Sequence, residues 1–226
     1  MNGIGRREMI AVLGMAPFAG ALLTRASARG IELDDQSSRE MIRDRYFPNI
    51  LLTTHEGKRV RFYDDLIKDK IVMINLMYAD CEGSCPIVTT NLTKVQKALG
   101  ARVGREIFMY SITLKPEQDT PRVLKEYAKM HGVKPGWSFL TGDPKEIELL
   151  RRKLGFTNPD PKLDADKSQH IGMLRYGNEP LQQWAACPGR TNPSWIVKSV
   201  LWVDWPRTRS ANRGAAALSG EKGERR

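Results

Sequence analysis

Ile71 to Tyr78 is a nearly continuous apolar run, interrupted only by Asn75. A run of that length without polar alternation predicts a central strand covered on both faces. The next segment restricts the fold further. Beyond a short polar loop, Val88, Leu92, Val95 and Leu99 recur at helical spacing, and Gly100 supplies the stop. A buried strand feeding an amphipathic helix through a short loop is the working unit of α/β folds, which place their sites in such loops.

The rest of the chain repeats this grammar. Ile107 to Ile112 is a second apolar run, and Trp137 to Leu140 and Ile171 to Tyr176 are shorter strand candidates. Ile50-Leu51-Leu52 and Val60-Arg61-Phe62 flank a His55-Glu56-Gly57-Lys58 turn, which predicts an N-terminal hairpin. Pro86, Pro121, Pro144 and Pro193 each fit a first helical position, where the missing N–H costs nothing. Thr120, Asp143 and Asn192 precede three of them as N-caps, and Asp143 with Glu146 makes a capping box. Gly155 to Gln169 reads as a long loop. The expected fold is an α/β sandwich with a central, mostly parallel sheet flanked by helices, with the hairpin in front and no internal repeat or second domain.

Charge invites a nucleic-acid reading, because the 226 residues carry a formal net charge of +10. Its distribution argues otherwise. Arg6, Arg7 and Arg25 against Glu8 give residues 1–28 a surplus. Arg207, Arg209, Arg213, Lys222, Arg225 and Arg226 against Glu221 and Glu224 give the last twenty a larger one. The stretch between is only mildly basic and shows no basic stripe with interleaved aromatics, so no nucleic-acid partner is expected.

Residues 1–28 resemble an export signal. Arg6-Arg7 precedes an uncharged run from Met9 to Leu23, and Ala26-Ser27-Ala28 offers a small-residue cleavage site. The paired arginines are twin-arginine-like. The apolar run is shorter than the roughly 20 residues that span a bilayer, and Gly14, Pro17 and Gly20 interrupt it. The expected organisation is 1–28 signal or anchor, 29–45 linker, 46–205 folded domain, and 206–226 a disordered basic tail with too few apolar groups to offset ordering. The expected location is the periplasm, with membrane contact only through the N-terminal segment, cleaved or retained as an inner-membrane anchor.

Tyr78-Ala79-Asp80-Cys81-Glu82-Gly83-Ser84-Cys85-Pro86 carries the chemistry. Two cysteines four apart at the start of a helix sit about one turn from each other, within the roughly 4.4–6.8 Å between Cα atoms that a disulfide requires. The same spacing lets both sulfurs grip one metal ion, and a helix N-terminus favours thiolate. A plain disulfide and two buried thiols stay open at this point. Three cysteines are too few, and an odd number, for a disulfide scaffold. Of three histidines, His55 lies in the predicted turn and His131 beside Gly132 at a helix C-terminus, where a cation is favoured. His170 ends the long loop and opens a strand. Two thiolates and one imidazole are an unusual set for structural zinc, which takes four protein ligands, whereas soft sulfur suits Cu(I) and imidazole suits Cu(II).

Several segments resemble the Sco (SenC) copper proteins, named for synthesis of cytochrome oxidase. They are Cys81-x-x-x-Cys85-Pro86, Gly57-Lys58, Asp119-Thr120-Pro121-x-x-Leu124-Lys125-x-Tyr127-Ala128, Trp137-x-Phe139-Leu140-Thr141-Gly142, and Asp166-x-x-x-His170. The resemblance runs from about Phe47 to Val203. It implies a thioredoxin-like fold and one copper, as Cu(I) or Cu(II), held by Cys81, Cys85 and His170, with Asp166 as a neighbour of the site. A Cys81–Cys85 disulfide is implied when the domain is oxidised and metal-free. It also implies delivery of copper to the CuA centre of cytochrome c oxidase subunit II, or maintenance of that centre's thiols. Another copper acceptor and a thioredoxin-like reductant are further partners of this kind. Such a protein is a metallochaperone and not a turnover enzyme.

The alternative reading is an exported thiol–disulfide oxidoreductase using Cys81 and Cys85. Against it, the spacing is one residue longer than Cys-x-x-Cys, and Ser168-Gln169-His170-Ile171 holds no proline. Three departures from the family pattern stand out: Glu82-Gly83-Ser84 between the cysteines, Leu114-Lys115-Pro116 in place of an Asp-Pro pair, and the run Arg175 to Pro188 in place of the terminal hairpin. Cys187 is expected as a buried packing residue, the alternative being a thiol that resolves a disulfide or donates to a partner; Trp184, Trp195, Trp202 and Trp205 fit both core and docking surface, of which core is the more common.

Overall fold

A computed structural model describes residues 39–166 and 172–204. The signal (1–28), most of the linker, Trp205 and the tail (206–226) lie outside the described residues. The hairpin forms as expected: β1 (Leu51–Thr54) pairs antiparallel with β2 (Arg59–Arg61) across a turn in which Gly57 takes φ +84°. Then β3 (Ile71–Met77) is followed by α1 (Ser84–Leu99), β4 (Ile107–Thr113), α2 (Pro121–Met130), β5 (Trp137–Gly142) and α3 (Pro144–Lys153). The short helix α4 (Pro161–Ala165), the strands β6 (Met173–Asn178) and β7 (Gln183–Pro188), and α5 (Pro193–Trp202) complete the domain.

The seven strands form one sheet in the order β2-β1-β5-β4-β3-β6-β7. Only its centre is parallel, where β4 lies between β3 and β5. The pairs β1–β2, β1–β5, β3–β6 and β6–β7 are antiparallel. The sheet is therefore mixed and not mostly parallel. Helical crossovers make the parallel pairs, while short turns allow only antiparallel neighbours at both edges. A hairpin, β6–β7, also forms despite the unusual Arg175 to Pro188 sequence, with Gly177 opposite Trp184. A Cβ at Gly177 would run into the Trp184 ring, so glycine is required there.

Side chains alternate across a strand, which assigns the two faces. Phe139 on β5 packs against Tyr127 of α2, and the Tyr127 hydroxyl lies 2.9 Å from Thr89 Oγ1 of α1. Phe139 pairs with Ser111, and Ser111 with Asn75, so these residues share the α1/α2 face. Asn75, the one polar break in the central run, accepts from Ser111 Oγ at 2.7 Å, and Trp137 Nε1 donates to the same hydroxyl at 2.9 Å. A buried amide so satisfied costs little. The opposite face, where Ile147 approaches Gly142, is covered by α3. All seven β3 side chains are buried, as a strand covered on both faces requires. A mixed sheet with βαβ crossovers at its centre and helices on both faces is the thioredoxin-like arrangement.

Three of the four proline-led helices start as predicted, with Thr120, Asp143 and Asn192 accepting from main-chain N–H groups of the first turn. The first differs: α1 begins at Ser84, so Pro86 is its third residue, still among the N–H groups that need no helical partner. The long loop hides α4, started by the same device at Asp160-Pro161. Trp184 is half-buried, 4.5 Å from the Phe47 ring, but Trp195 and Trp202 are 48% and 65% exposed, so these two take the surface alternative and not the commoner core one.

Candidate metal centre

The loop of residues 78–83 leaves the C-terminal end of β3 and enters α1. Two groups from the neighbouring β4–α2 connection hold it. The buried Asp119 carboxylate accepts the Ala79 N–H, at 3.1 Å to Oδ2 and 3.3 Å to Oδ1, and also accepts the Thr113 hydroxyl. Lys115 places its Nζ 3.1 Å from Asp80 Oδ1 and 4.1 Å from the centre of the Tyr78 ring. Lys115 stands where the family pattern has an Asp-Pro pair, and here it clamps the cysteine loop.

Cys81 and Cys85 are 5% and 2% exposed and are not joined by a disulfide. Their environments push them apart. Burial works against ionisation of Cys81. Hydrogen bonds from the Cys85 thiol and main chain, the Tyr78 hydroxyl and the Gly83 main chain outweigh it and bring Cys81 below the ordinary thiol value. Burial pushes Cys85 up to about 12, helped by its hydrogen bond with Cys81. Donation to Cys81, together with burial, pushes the Tyr78 hydroxyl up as well. The pair therefore favours one thiolate, on Cys81, with its proton retained on Cys85. A pair with these properties can attack a disulfide or present a soft ligand set to a metal.

His170 lies outside the described residues, and among those residues no group of three His, Cys, Asp or Glu side chains is placed to hold a metal. The described residues continue at Gly172, where a Cβ would lie 3.8 Å from Val88 Cγ2 and 4.0 Å from Ser84 Oγ. The residue two beyond His170 thus rests on the first two turns of α1. Gly189 N–H fixes it there by donating to the Gly172 carbonyl at 2.7 Å. Upstream, Arg151 is buried and pairs at 2.7 Å with Asp164 of α4, tying down the other approach to the same segment. Asp166 is exposed at the end of α4.

The other histidines are engaged elsewhere. His55 Nδ1 accepts from Phe139 N–H at 3.1 Å, and burial lowers its pKa. His131 caps α2 against the Tyr127 ring, 4.3 Å between centroids. Burial lowers its pKa too, so the neutral ring is favoured and not the cation expected from its place at a helix end. Cys187 is buried on β7 opposite Leu174, and desolvation pushes it up to about 11. Sequence reasoning assigned no role to Tyr78, Thr113 or Lys115. The one signal was the Asp119-Thr120-Pro121 motif, whose aspartate turns out to grip the loop.

The chain matches the SCO1/SenC family model over residues 43–175, more than half its length. It is 32% identical over 100 residues to the SCO1 protein homolog of Bacillus subtilis, covering 43% of this chain and 50% of that protein. The chain thus spans half the length of that relative. Among solved structures it is similar to Bradyrhizobium japonicum ScoI with copper bound. That match has 23% identity and a TM-score of 0.55, over 68% of this chain and 96% of that one. It is also similar to BsSco, a member of the Sco family of cytochrome c oxidase assembly proteins in which a disulfide switch was identified. There the identity is 24% and the TM-score 0.56, over 68% and 90% of the two chains. With the thioredoxin-like sheet and the paired thiols at its central strand end, the matched segment assigns the chain: it belongs to the SCO1/SenC family.

Proposed function

We propose that this protein is a copper-binding assembly factor whose Cys81, Cys85 and His170 hold one copper ion. The observation that carries the reading is the loop between β3 and α1. It buries two thiols, favours one thiolate, and lies beside the α1 turns on which Gly172, two residues past His170, is packed. Two sulfurs and an imidazole form an incompletely closed set, so an acceptor's ligands can enter before the donor's have left. Transfer by such ligand exchange changes no oxidation state. The acceptor proposed is the CuA centre of cytochrome c oxidase subunit II, in line with the assembly role stated for BsSco. The folded domain is taken as 46–205, exported to the periplasm by residues 1–28, which remain as an inner-membrane anchor if uncleaved.

Titration of the reduced protein with Cu(I) and Cu(II) tests this. Wild type should bind one equivalent of either and develop a visible thiolate-to-Cu(II) absorption. Cys81→Ser/Cys85→Ser should lose the band. Unchanged Cu(II) binding by His170→Ala would eliminate the three-ligand site.

The asymmetry of the two thiols favours a second reading, exchange with the oxidised cysteines of the acceptor. The Cys81 thiolate would attack a partner disulfide and expel one thiolate. Cys85, losing its proton to solvent, would then attack the mixed disulfide and expel the second. Two electrons pass to the partner, and the domain is left with a Cys81–Cys85 disulfide for a thioredoxin-like reductant to reopen. A wild type that ignored copper but reduced a protein disulfide stoichiometrically would establish this reading over the first.

A further inference from the structure

Helix α5 packs beside α1 and runs parallel to it. Asn91 of α1 ties the entry to α5, with Nδ2 donating to the Gly189 carbonyl at 2.9 Å and to the Thr191 carbonyl at 2.6 Å. At the far end Arg102, just past α1, pairs at 2.5 Å with Asp204, just past α5. Ile196 and Val200 are buried on the inner side of α5. Residues three and four apart share a helix face, so the outer side of α5 carries Trp195, Lys198 and Trp202, all exposed. The outer side of α1 carries Ile87, Thr90, Lys94 and Lys97, exposed in the same way.

The two helices bring together cations and indoles that the sequence keeps about a hundred residues apart. Neither helix contains an Asp or a Glu. Asp204 and Glu106, at the far end, are both held by Arg102. Beside α5, the exposed Arg190 joins Lys94, Ile87, Thr90 and Pro86 around a surface groove of about 480 Å³. Large apolar side chains in water and rimmed by polar groups mark an interaction surface. The cations indicate what covers it. Protein interfaces are rich in Trp but poor in Lys, whereas Trp together with Lys is the make-up of a helix lying at a membrane surface. There the indoles sit among the headgroups and the ammonium groups reach the phosphates. The sequence after α5 adds Trp205 and then six Lys or Arg against two Glu, which extends the same charge.

We propose that the outer face of α1 and α5 docks the folded domain on an anionic phospholipid surface. Trp195 and Trp202 enter the headgroup region, and Lys94, Lys97, Arg190 and Lys198 pair with lipid phosphates. Each cation near such a surface strengthens binding roughly fivefold. This contact is separate from any made by residues 1–28. It uses neither Cys81 nor Cys85 and does not depend on the copper reading.

Tryptophan quenching of the full chain by vesicles with bromine on the acyl chains near the headgroup provides the test. The vesicles are phosphatidylcholine with phosphatidylglycerol, or phosphatidylcholine alone. Wild type is compared with Trp195→Phe/Trp202→Phe, and the difference in quenching is the share owed to the two α5 indoles. On anionic vesicles that share should be substantial. It should fall severalfold on phosphatidylcholine alone and in Lys94→Gln/Lys97→Gln/Lys198→Gln, because the attraction is electrostatic. A chain held only through residues 1–28 would show neither dependence. The neutral-vesicle comparison uses wild type and Trp195→Phe/Trp202→Phe alone, so it decides the matter if the lysine variant fails to fold. The proposal is overturned if Trp195→Phe/Trp202→Phe is quenched as strongly as wild type on anionic vesicles. It is equally overturned if the α5 share is the same on neutral vesicles. A wild-type dimer seen by sedimentation and split by Trp195→Ala/Trp202→Ala, with no quenching of the α5 indoles, would overturn it and give the face to a second copy.

Discussion

Asp119→Ala removes the acceptor that holds the cysteine loop to the neighbouring strand connection. The carboxylate is 2% exposed and accepts from Ala79 N–H and the Thr113 hydroxyl. Hydrogen bonds to a charged group are worth about 1.5–3 kcal/mol each. Two of them give about 3–6 kcal/mol, and the part-buried Ala79 N–H loses its acceptor. Burial opposes this by raising the carboxyl pKa, which makes the charged form expensive, so the low end of the range applies. We expect a loss of about 3 kcal/mol, or a melting temperature lower by roughly 6–12 °C for a domain of this size. Asp119→Asn keeps an acceptor for Ala79 and should lose about half as much. Urea denaturation followed by circular dichroism measures the first effect. The second is chemical: a loosened loop loses the hydrogen bonds that acidify Cys81, so its alkylation by iodoacetamide near neutral pH should slow as its pKa climbs. If Asp119→Ala melts within about 0.5 kcal/mol of wild type and Cys81 keeps its alkylation profile, the carboxylate is not what positions the loop.

Arg151→Met should cost about 3 kcal/mol or more in the same urea assay, because it strands Asp164 and Glu148 beside a buried site and leaves the Phe156 carbonyl without its donor. Asp164 is held well below the ordinary carboxylate range by Arg151 and by the Asn158 N–H. Its contribution is therefore present above the ordinary aspartate value near 4 and disappears as pH falls through its lower folded value. Acid titration of stability should show wild type losing more than Asp164→Asn over that interval, and parallel curves would refute the assignment. Cys187, raised to about 11, should resist alkylation at neutral pH until the protein is unfolded, which peptide mass mapping of the labelled chain reads directly.

Local patterns made the centre of this molecule readable and left its edges obscure. The apolar run around Asn75 and the Val88–Leu99 stripe identified β3 and α1, because full burial and helical spacing are both written in consecutive residues. Pairing direction is not. Whether β6 runs with or against β3 depends on a connection whose sequence carries no direction, and a mostly parallel sheet was the wrong generalisation from three central strands. Helix α4 escaped notice because five residues cannot display a period, although Asp160-Pro161 repeats the device found at Asp143-Pro144. The exposure of Trp195 and Trp202 could not be read from composition, since an aromatic residue fits core and surface alike. At the site, Cys81 and Cys85 were legible from spacing and context. Their supports were not: Asp119 meets Ala79 from forty residues away, and Lys115 looks like a defect in a motif until its contacts with Asp80 and Tyr78 are seen.

The central claim is a single copper held by Cys81, Cys85 and His170. X-ray absorption of the copper-loaded protein, compared with His170→Ala, tests it most directly. The account predicts two sulfur ligands and one imidazole nitrogen in wild type, with the nitrogen contribution lost and both sulfurs kept in the variant. Identical spectra for the two proteins, or a wild-type centre without two sulfurs, would contradict it.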